Sequence, residues 1–137
     1  MAATLKLEIV TPEARVYSED VDMVTIPGIE GELGIYPQHV PLMTEVTSGE
    51  LIARKGGQEF FLAVGDGFVE ITGERVSVMT DMAMKADDID EMKVEEARKR
   101  AESRLSEKLS DEEDASVRAA LAQSLAQLKV KRRHPRR

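Results

Sequence analysis

The sequence predicts an α+β chain: an N-terminal β-sandwich or flattened barrel over residues 1–86, then an antiparallel α-helical hairpin over residues 87–137. Three observations predict it. All nine glycines lie at or before Gly73 and all five aromatics at or before Phe68, so the two parts follow different backbone rules. Short runs with period-two alternation and frequent turn residues fill the first part. The second part has no glycine, carries its one proline at Pro135, and spaces its apolar residues three and four apart.

The elements follow in order. Leu5, Leu7 and Ile9 alternate with Lys6 and Glu8, one buried face against one wet face. Further strand runs are VDMVTI (21–26), ELIARK (50–55), QEFFLAV (58–64), FVEIT (68–72) and RVSVMT (75–80). Gly56-Gly57 between two of them signals a two-residue hairpin turn. Val69, Ile71, Val76 and Val78 are the expected inward positions. About eight short strands with frequent turns point to a sandwich or barrel.

Asp87 or Asp88 is expected to cap the first helix, whose face runs Ile89, Met92, Ala97, Ala101, Leu105 and Leu109. The run SDEE (110–113) has the form of a capping box and starts the second helix, with acidic residues in its first turn. Val117, Leu121, Leu125 and Leu128 form its expected stripe. The seam between the helices is rich in alanine: Ala97, Ala101, Ala115, Ala119, Ala122 and Ala126. Burying alanine stabilises far less than the roughly 1.5–3 kcal/mol of a fully buried Leu or Val. Such a hairpin must lean on the sandwich or on another protein, which makes it a candidate two-state element.

Composition excludes several functions. The 137 residues contain no cysteine, so disulfides, thiolate metal sites and cysteine nucleophiles are out. The two histidines, His39 and His134, are far apart and offer no histidine-rich metal site. No apolar run approaches the roughly 20 residues of a membrane span, so direct insertion is not expected and membrane association must come through a partner. The N-terminus lacks a charged region followed by an apolar one, so no secretory signal is expected. Net charge is −7, which argues against nucleic acid. Residues 1–85 carry six Lys/Arg against fourteen Asp/Glu, a balance of −8, and residues 86–137 carry thirteen against twelve, +1.

The segment PGIEGELGIYPQHVP (27–41) groups three glycines with Glu30 and Glu32. A phosphate loop needs a different spacing and a lysine, and here the carboxylates would repel phosphate. Turns in a β domain explain the glycines; a docking loop also explains the charges, the prolines and Tyr36. The acidic groups Glu30/Glu32, Asp20/Asp22 and Asp87/Asp88/Asp90 lack a companion nucleophile or base, and read as solvated edges and a helix cap. His39 reads as a hydrogen-bonding loop residue. Arg98, Lys99, Arg100 and Arg104, with KVKRRHPRR (129–137), form basic clusters suited to an acidic protein surface or to a nucleotide's phosphates. No aromatic accompanies them, which disfavours nucleic acid.

Four segments resemble the epsilon subunit family of F-type ATP synthases (delta in mitochondria). EGELGIYPQHVPLMT (30–44) resembles the family's EGElGilpgHaPl stretch. LKLEIVTPEARVYSEDV (5–21) resembles its opening strand pair, and IDEMKVEEARKRAESRL (89–105) and AQSLAQLKV (122–130) resemble its two C-terminal helices. The resemblance implies a non-catalytic central-stalk subunit. Its sandwich would sit on gamma and against the c-ring loops, and couple ring rotation to ATP synthesis. Its hairpin would reach the alpha and beta subunits and inhibit ATP hydrolysis. It further implies a peripheral protein on the cytoplasmic face of a bacterial membrane, or the matrix or stromal side in an organelle.

By the same resemblance, Glu32 matches the carboxylate that faces the c-ring loops and His39 its neighbour, with Glu30, Gly34 and Tyr36 on the same docking surface. Arg98, Lys99, Lys131, Arg132 and Arg133 would make the inhibitory contacts with acidic segments of beta. Some family members bind ATP in the folded hairpin through I/L-D-x-x-R-A-x-x-A-x-x-R-A. Ile89, Asp90, Ala97, Arg100 and Ala101 match that motif; Lys93 replaces its arginine and Val94 an alanine. Arg118 could supply a second-helix arginine, but Leu125 stands where another would help. Lysine lacks the bidentate fork of arginine, so ATP binding is expected to be weak or absent and no other cofactor is implied.

Overall fold

The computed structural model describes residues 3–135. Ten strands come first: β1 Leu5–Val10, β2 Arg15–Val21, β3 Met23–Gly28, β4 Gly31–Ile35, β5 Leu42–Val46, β6 Gly49–Lys55, β7 Gln58–Val64, β8 Gly67–Ile71, β9 Arg75–Thr80 and β10 Ala83–Lys85. A 3-10 turn at Ala86–Asp88 leads to α1 (Glu91–Leu105) and α2 (Asp111–Arg133).

The strands form one strongly bent sheet in the order β10-β7-β6-β3-β5-β8-β9-β1-β2, with β4 attached to β3. Pairing is antiparallel except between β1 and β9, which run parallel with Leu7 beside Val76 and Ile9 beside Val78. The sheet folds over a core that contains Leu7, Ile9, Ile26, Leu51, Leu62, Val69 and Ile71, each at most 1% exposed. The alternation read from the sequence is what sends these side chains inward. Val69, Ile71, Val76 and Val78 are all buried, as expected.

Two turns show why particular glycines are needed. Gly56 and Gly57 have φ of +58° and +80° and join β6 to β7 with Lys55 opposite Gln58. Both angles favour glycine, as a tight turn of this hand requires. At Gly67 an added Cβ would lie 1.9 Å from the Met79 carbonyl oxygen, so β8 and β9 approach too closely for any side chain.

The helices depart from the expected pattern in five places, the first being Leu109, which lies beyond the end of α1 at Leu105 and off its face. Asp90, not Asp87 or Asp88, caps α1, its side chain accepting from the Lys93 amide at 3.2 Å; the earlier pair lies in the 3-10 turn. Met92 is exposed and Val94 takes the buried position, because a helix that starts at Glu91 turns Val94, Ala97, Ala101 and Leu105 to one side. In α2, Leu125 is exposed while Ser124 is buried, so the inner stripe runs Val117, Leu121, Ser124, Leu128. Ala115 also faces solvent, outside the seam. The capping box at Ser110 and Glu113 is present, with both reciprocal bonds formed.

The second helix, rather than the first, lies against the sheet, packing on β6 and β7. A small cluster joins them: Ala63, Ala86, Ile89, Val94, Leu128 and Val130, flanked by Phe61, Met82 and Met84.

Candidate functional site

Two surfaces collect the residues singled out by sequence, and a third was not foreseen. The first is the rim built by the β3–β4 hairpin. Gly28 pairs with Gly31, and Ile29 and Glu30 form the turn between them. An added Cβ at Gly28 would lie 2.7 Å from the Gly31 carbonyl oxygen, and Gly31 has φ of +126°, so this turn needs both glycines. Strand alternation places Glu32 and Gly34 outward and Ile35 inward. Among the described strands β4 pairs only with β3, which leaves its other edge open.

Gly34 differs from its neighbours: an added Cβ there would meet nothing within 4 Å. The fold of this chain does not demand that glycine. Tyr36 follows, 60% exposed. The loop then returns over the sheet, where the Gln38 amide donates to the Gly73 carbonyl at 2.7 Å and fixes its path. His39 is half-buried, and its Nδ1 lies 2.6 Å from the Val40 carbonyl oxygen, which it reaches as a donor. Glu30, Glu32, Gly34, Tyr36 and His39 thus occupy one continuous hairpin and loop at the sheet margin.

The surface that sequence reasoning missed lies on the outer face of the same sheet. Val10 sits beside Met79, and Met79 beside Phe68, across three neighbouring strands. They are 36%, 46% and 52% exposed. The exposed Glu45 stands opposite Phe68 and ends the row on that side. The signal was in the alternation: if Val69 and Val78 point inward, Phe68 and Met79 point out. Scattered apolar side chains on a surface need no explanation, but a contiguous row marks a contact face.

The third surface is the hairpin and its contact with the sheet. Most of the predicted basic residues are engaged here. Arg98 binds Glu95 and Glu102 on its own helix, bonds that push its pKa up; Glu95, bound chiefly by Arg98, titrates below the usual carboxylate range. Arg132 reaches from α2 to Glu95 at 3.0 Å and Glu91 at 3.6 Å. Lys131 donates to the Ala86 carbonyl at 3.2 Å. Arg133 pairs at 3.0 Å with Glu50 of β6, whose side chain is only 7% exposed. Lys99 is exposed. Arg136 and Arg137 of the basic tail lie outside the described residues.

The residues matched to the nucleotide motif have other occupations. Ile89 is buried in the hairpin–sheet cluster and Asp90 is the α1 cap. Lys93 and Arg100 are exposed, and Arg118 pairs with Asp114 at 2.8 Å. A cleft of about 1020 Å³ opens between β2, β7 and the end of α2, lined by Tyr17, Phe61, Lys85, Asp87, Arg133 and His134 among others; none of the five motif residues lines it. The Tyr17 hydroxyl is buried there without a well-formed hydrogen bond, and burial, with the Glu19 carboxylate second, pushes its pKa up to about 12.

The family model for the β-sandwich domain of the ATP synthase delta/epsilon chain matches residues 4–86, and the model for its long α-helix domain matches residues 87–132. The chain belongs to the ATP synthase delta/epsilon family. It is 46% identical to the ATP synthase epsilon chain of Dehalococcoides mccartyi, over 97% of this chain and 98% of that one. It is 43% identical to the epsilon chain of Desulforamulus reducens, over 95% and 98%. A chain of the Euglena gracilis mitochondrial ATP synthase, solved by cryo-electron microscopy, shares the fold with a TM-score of 0.76 at 22% identity, over 93% of this chain and 80% of that one. The delta/epsilon layout of sandwich then helices is therefore present nearly end to end.

Proposed function

We propose that this delta/epsilon chain is the central-stalk epsilon subunit of an F-type ATP synthase, a rotor part without an active site of its own. The observation that carries the reading is the match of both family models, in order, over almost the whole chain. Its partners are then gamma, the c-ring, and the alpha and beta subunits. The outer apolar row of Val10, Phe68 and Met79 suits a permanent apolar neighbour, and gamma fills that role. The rim of Glu30, Glu32, Gly34, Tyr36 and His39 faces the polar loops of the c-ring. No helix of the described residues is long and apolar enough to cross a membrane, which fits attachment through the ring on the cytoplasmic face.

Capture from membranes tests the reading: gamma and c-ring subunits should be recovered together with this chain, and recovery without gamma would sink it. Gly34 offers a sharper probe. Since no neighbour crowds it, Gly34→Val should leave the isolated chain folded yet weaken assembly or coupling through close approach of the ring loops. Wild-type coupling in that variant, and in Glu32→Ala with His39→Ala, would remove the rim from the docking surface.

We further propose that the hairpin, residues 87–137, inhibits ATP hydrolysis when it leaves the sheet. Its attachment through one small cluster and a set of ion pairs supports movement, and opening would free Lys131 and Arg133 from the 3-10 turn and the sheet, so that they join Arg98, Lys99 and Arg132 as the set offered to acidic segments of beta. Deleting residues 88–137 should raise hydrolysis by the complex; unchanged hydrolysis removes the inhibitory role. ATP sensing by Ile89, Asp90, Lys93, Arg100 and Arg118 is the second reading, and calorimetric titration decides it. Micromolar binding would favour the sensor; millimolar or no binding leaves a mechanical part.

A further inference from the structure

The last turn of α2 ends in a contact that the family resemblance does not supply. His134 lies flat on Phe61 of β7, ring centroids 3.4 Å apart and planes 9° from parallel. Its Nε2 is 2.9 Å from one carboxylate oxygen of Glu50, while Arg133 holds the other at 3.0 Å. The Glu50 side chain is 7% exposed and that of His134 22%, so the carboxylate is screened from water more than any in the ion pairs along the helices. Neutral imidazole can donate one hydrogen bond to this carboxylate. Imidazolium makes the same bond charge-assisted, a form roughly twice as strong.

We propose that His134 is a pH-sensitive latch, its protonated form clamping the end of α2 to Glu50 and its deprotonation loosening the hairpin from the sheet. Histidine is the side chain whose charge changes between pH 5 and 8. The sign follows from the partner. Positive charge on His134 is favoured when α2 is docked beside Glu50 and loses that carboxylate when α2 leaves. Docking is therefore strengthened on the acid side and weakened as pH rises through the titration.

Other charged groups line the same cleft as the ring: Arg133 on α2 and Lys85 on β10, which oppose a second positive charge, and Glu19 on β2, Glu59 on β7 and Asp87 in the 3-10 turn, which favour it. Two of these carboxylates are already matched, Glu19 by Lys55 and Glu59 by Arg54. Glu50, which Arg133 already holds by one oxygen, decides because its other oxygen is in direct contact with the ring and its side chain is nearly dry. Glu95, which holds Arg132, titrates below the usual carboxylate range and so keeps its charge across the same window.

The inference rests on the hairpin being movable, and the test separates the latch from the inhibitory role because it needs no complex. In the isolated full-length chain, relaxation dispersion of the Leu128 and Val130 methyl resonances reports how often α2 leaves the sheet, whether or not the helix itself stays intact. The opening equilibrium should rise about threefold to tenfold between pH 6 and pH 8, the range expected of a partly buried charge pair. His134→Gln, which keeps a hydrogen-bonding side chain without the charge change, should hold the rise under about twofold by the same reasoning. Glu50→Gln should do the same; if it releases the hairpin by orphaning Arg133, His134→Gln alone decides. No rise in the wild-type chain, or an equal rise in His134→Gln, overturns the latch.

Discussion

The sandwich and the hairpin are held by different forces. Inside the sandwich, branched aliphatic side chains from strands on both sides of the fold lock together with almost no exposure. The hairpin rests on a cluster of six residues, two of them alanines, and on cations placed along its edges. One part is a rigid body. The other is tied on by contacts that individually contribute little, and such an element can leave without unfolding what it leaves behind.

Four substitutions break or sharpen that contrast. The largest effect belongs to Leu7→Ala, which empties the middle of the sandwich and should cost about 2–5 kcal/mol in denaturant unfolding. Leu128→Ala should cost about 2–3 kcal/mol by the same cavity rule, and the loss should appear as faster exchange in α2 while the strands keep their protection. If the strands lose protection equally, the two parts are one cooperative unit and the contrast fails.

Ser110→Ala removes the capping box and should cost about 1 kcal/mol of helix stability, read as loss of helical circular dichroism at lower temperature. Tyr17→Phe has the smallest effect. It deletes a buried hydroxyl without a well-formed bond, so stability should stay level or rise by up to about 1 kcal/mol. A clear loss would mean that the hydroxyl bonds Glu19 more strongly than its geometry indicates.

Much of the fold could be read from local chemistry. The alternation of Leu5, Leu7 and Ile9, the Gly56-Gly57 turn and the Ser110–Glu113 box each depend on neighbours a few residues away. Strands β4 and β5 were harder, because GELGI and LMTEV are short and their exposed members blur the alternation. Asp87 and Asp88 looked like caps for α1, yet Asp90, whose side chain reaches the Lys93 amide, takes that place. Leu125 looked like core by spacing, yet Ser124 faces inward because the stripe must meet a sheet that composition does not describe.

The site divides in the same way. Glu30, Glu32 and His39 stand in one stretch of sequence and could be found there. Glu50 and His134 are 84 residues apart, and no spacing rule connects them. The outward row of Val10, Phe68 and Met79 needed the register of three strands before it became a surface.

The parallel pairing of β1 with β9 has a consequence for how the chain is made. Strand β1 leaves the ribosome about seventy residues before β9, one of its two partners. Until then the face of Leu7 and Ile9 has β2 beside it but no folded-over sheet beneath it. The two helices emerge after that closure, when Phe61 and Ala63 are already in place to receive them. Synthesis thus delivers the rigid part before the movable part, and a pause before β9 is the interval in which the nascent chain is most open to aggregation.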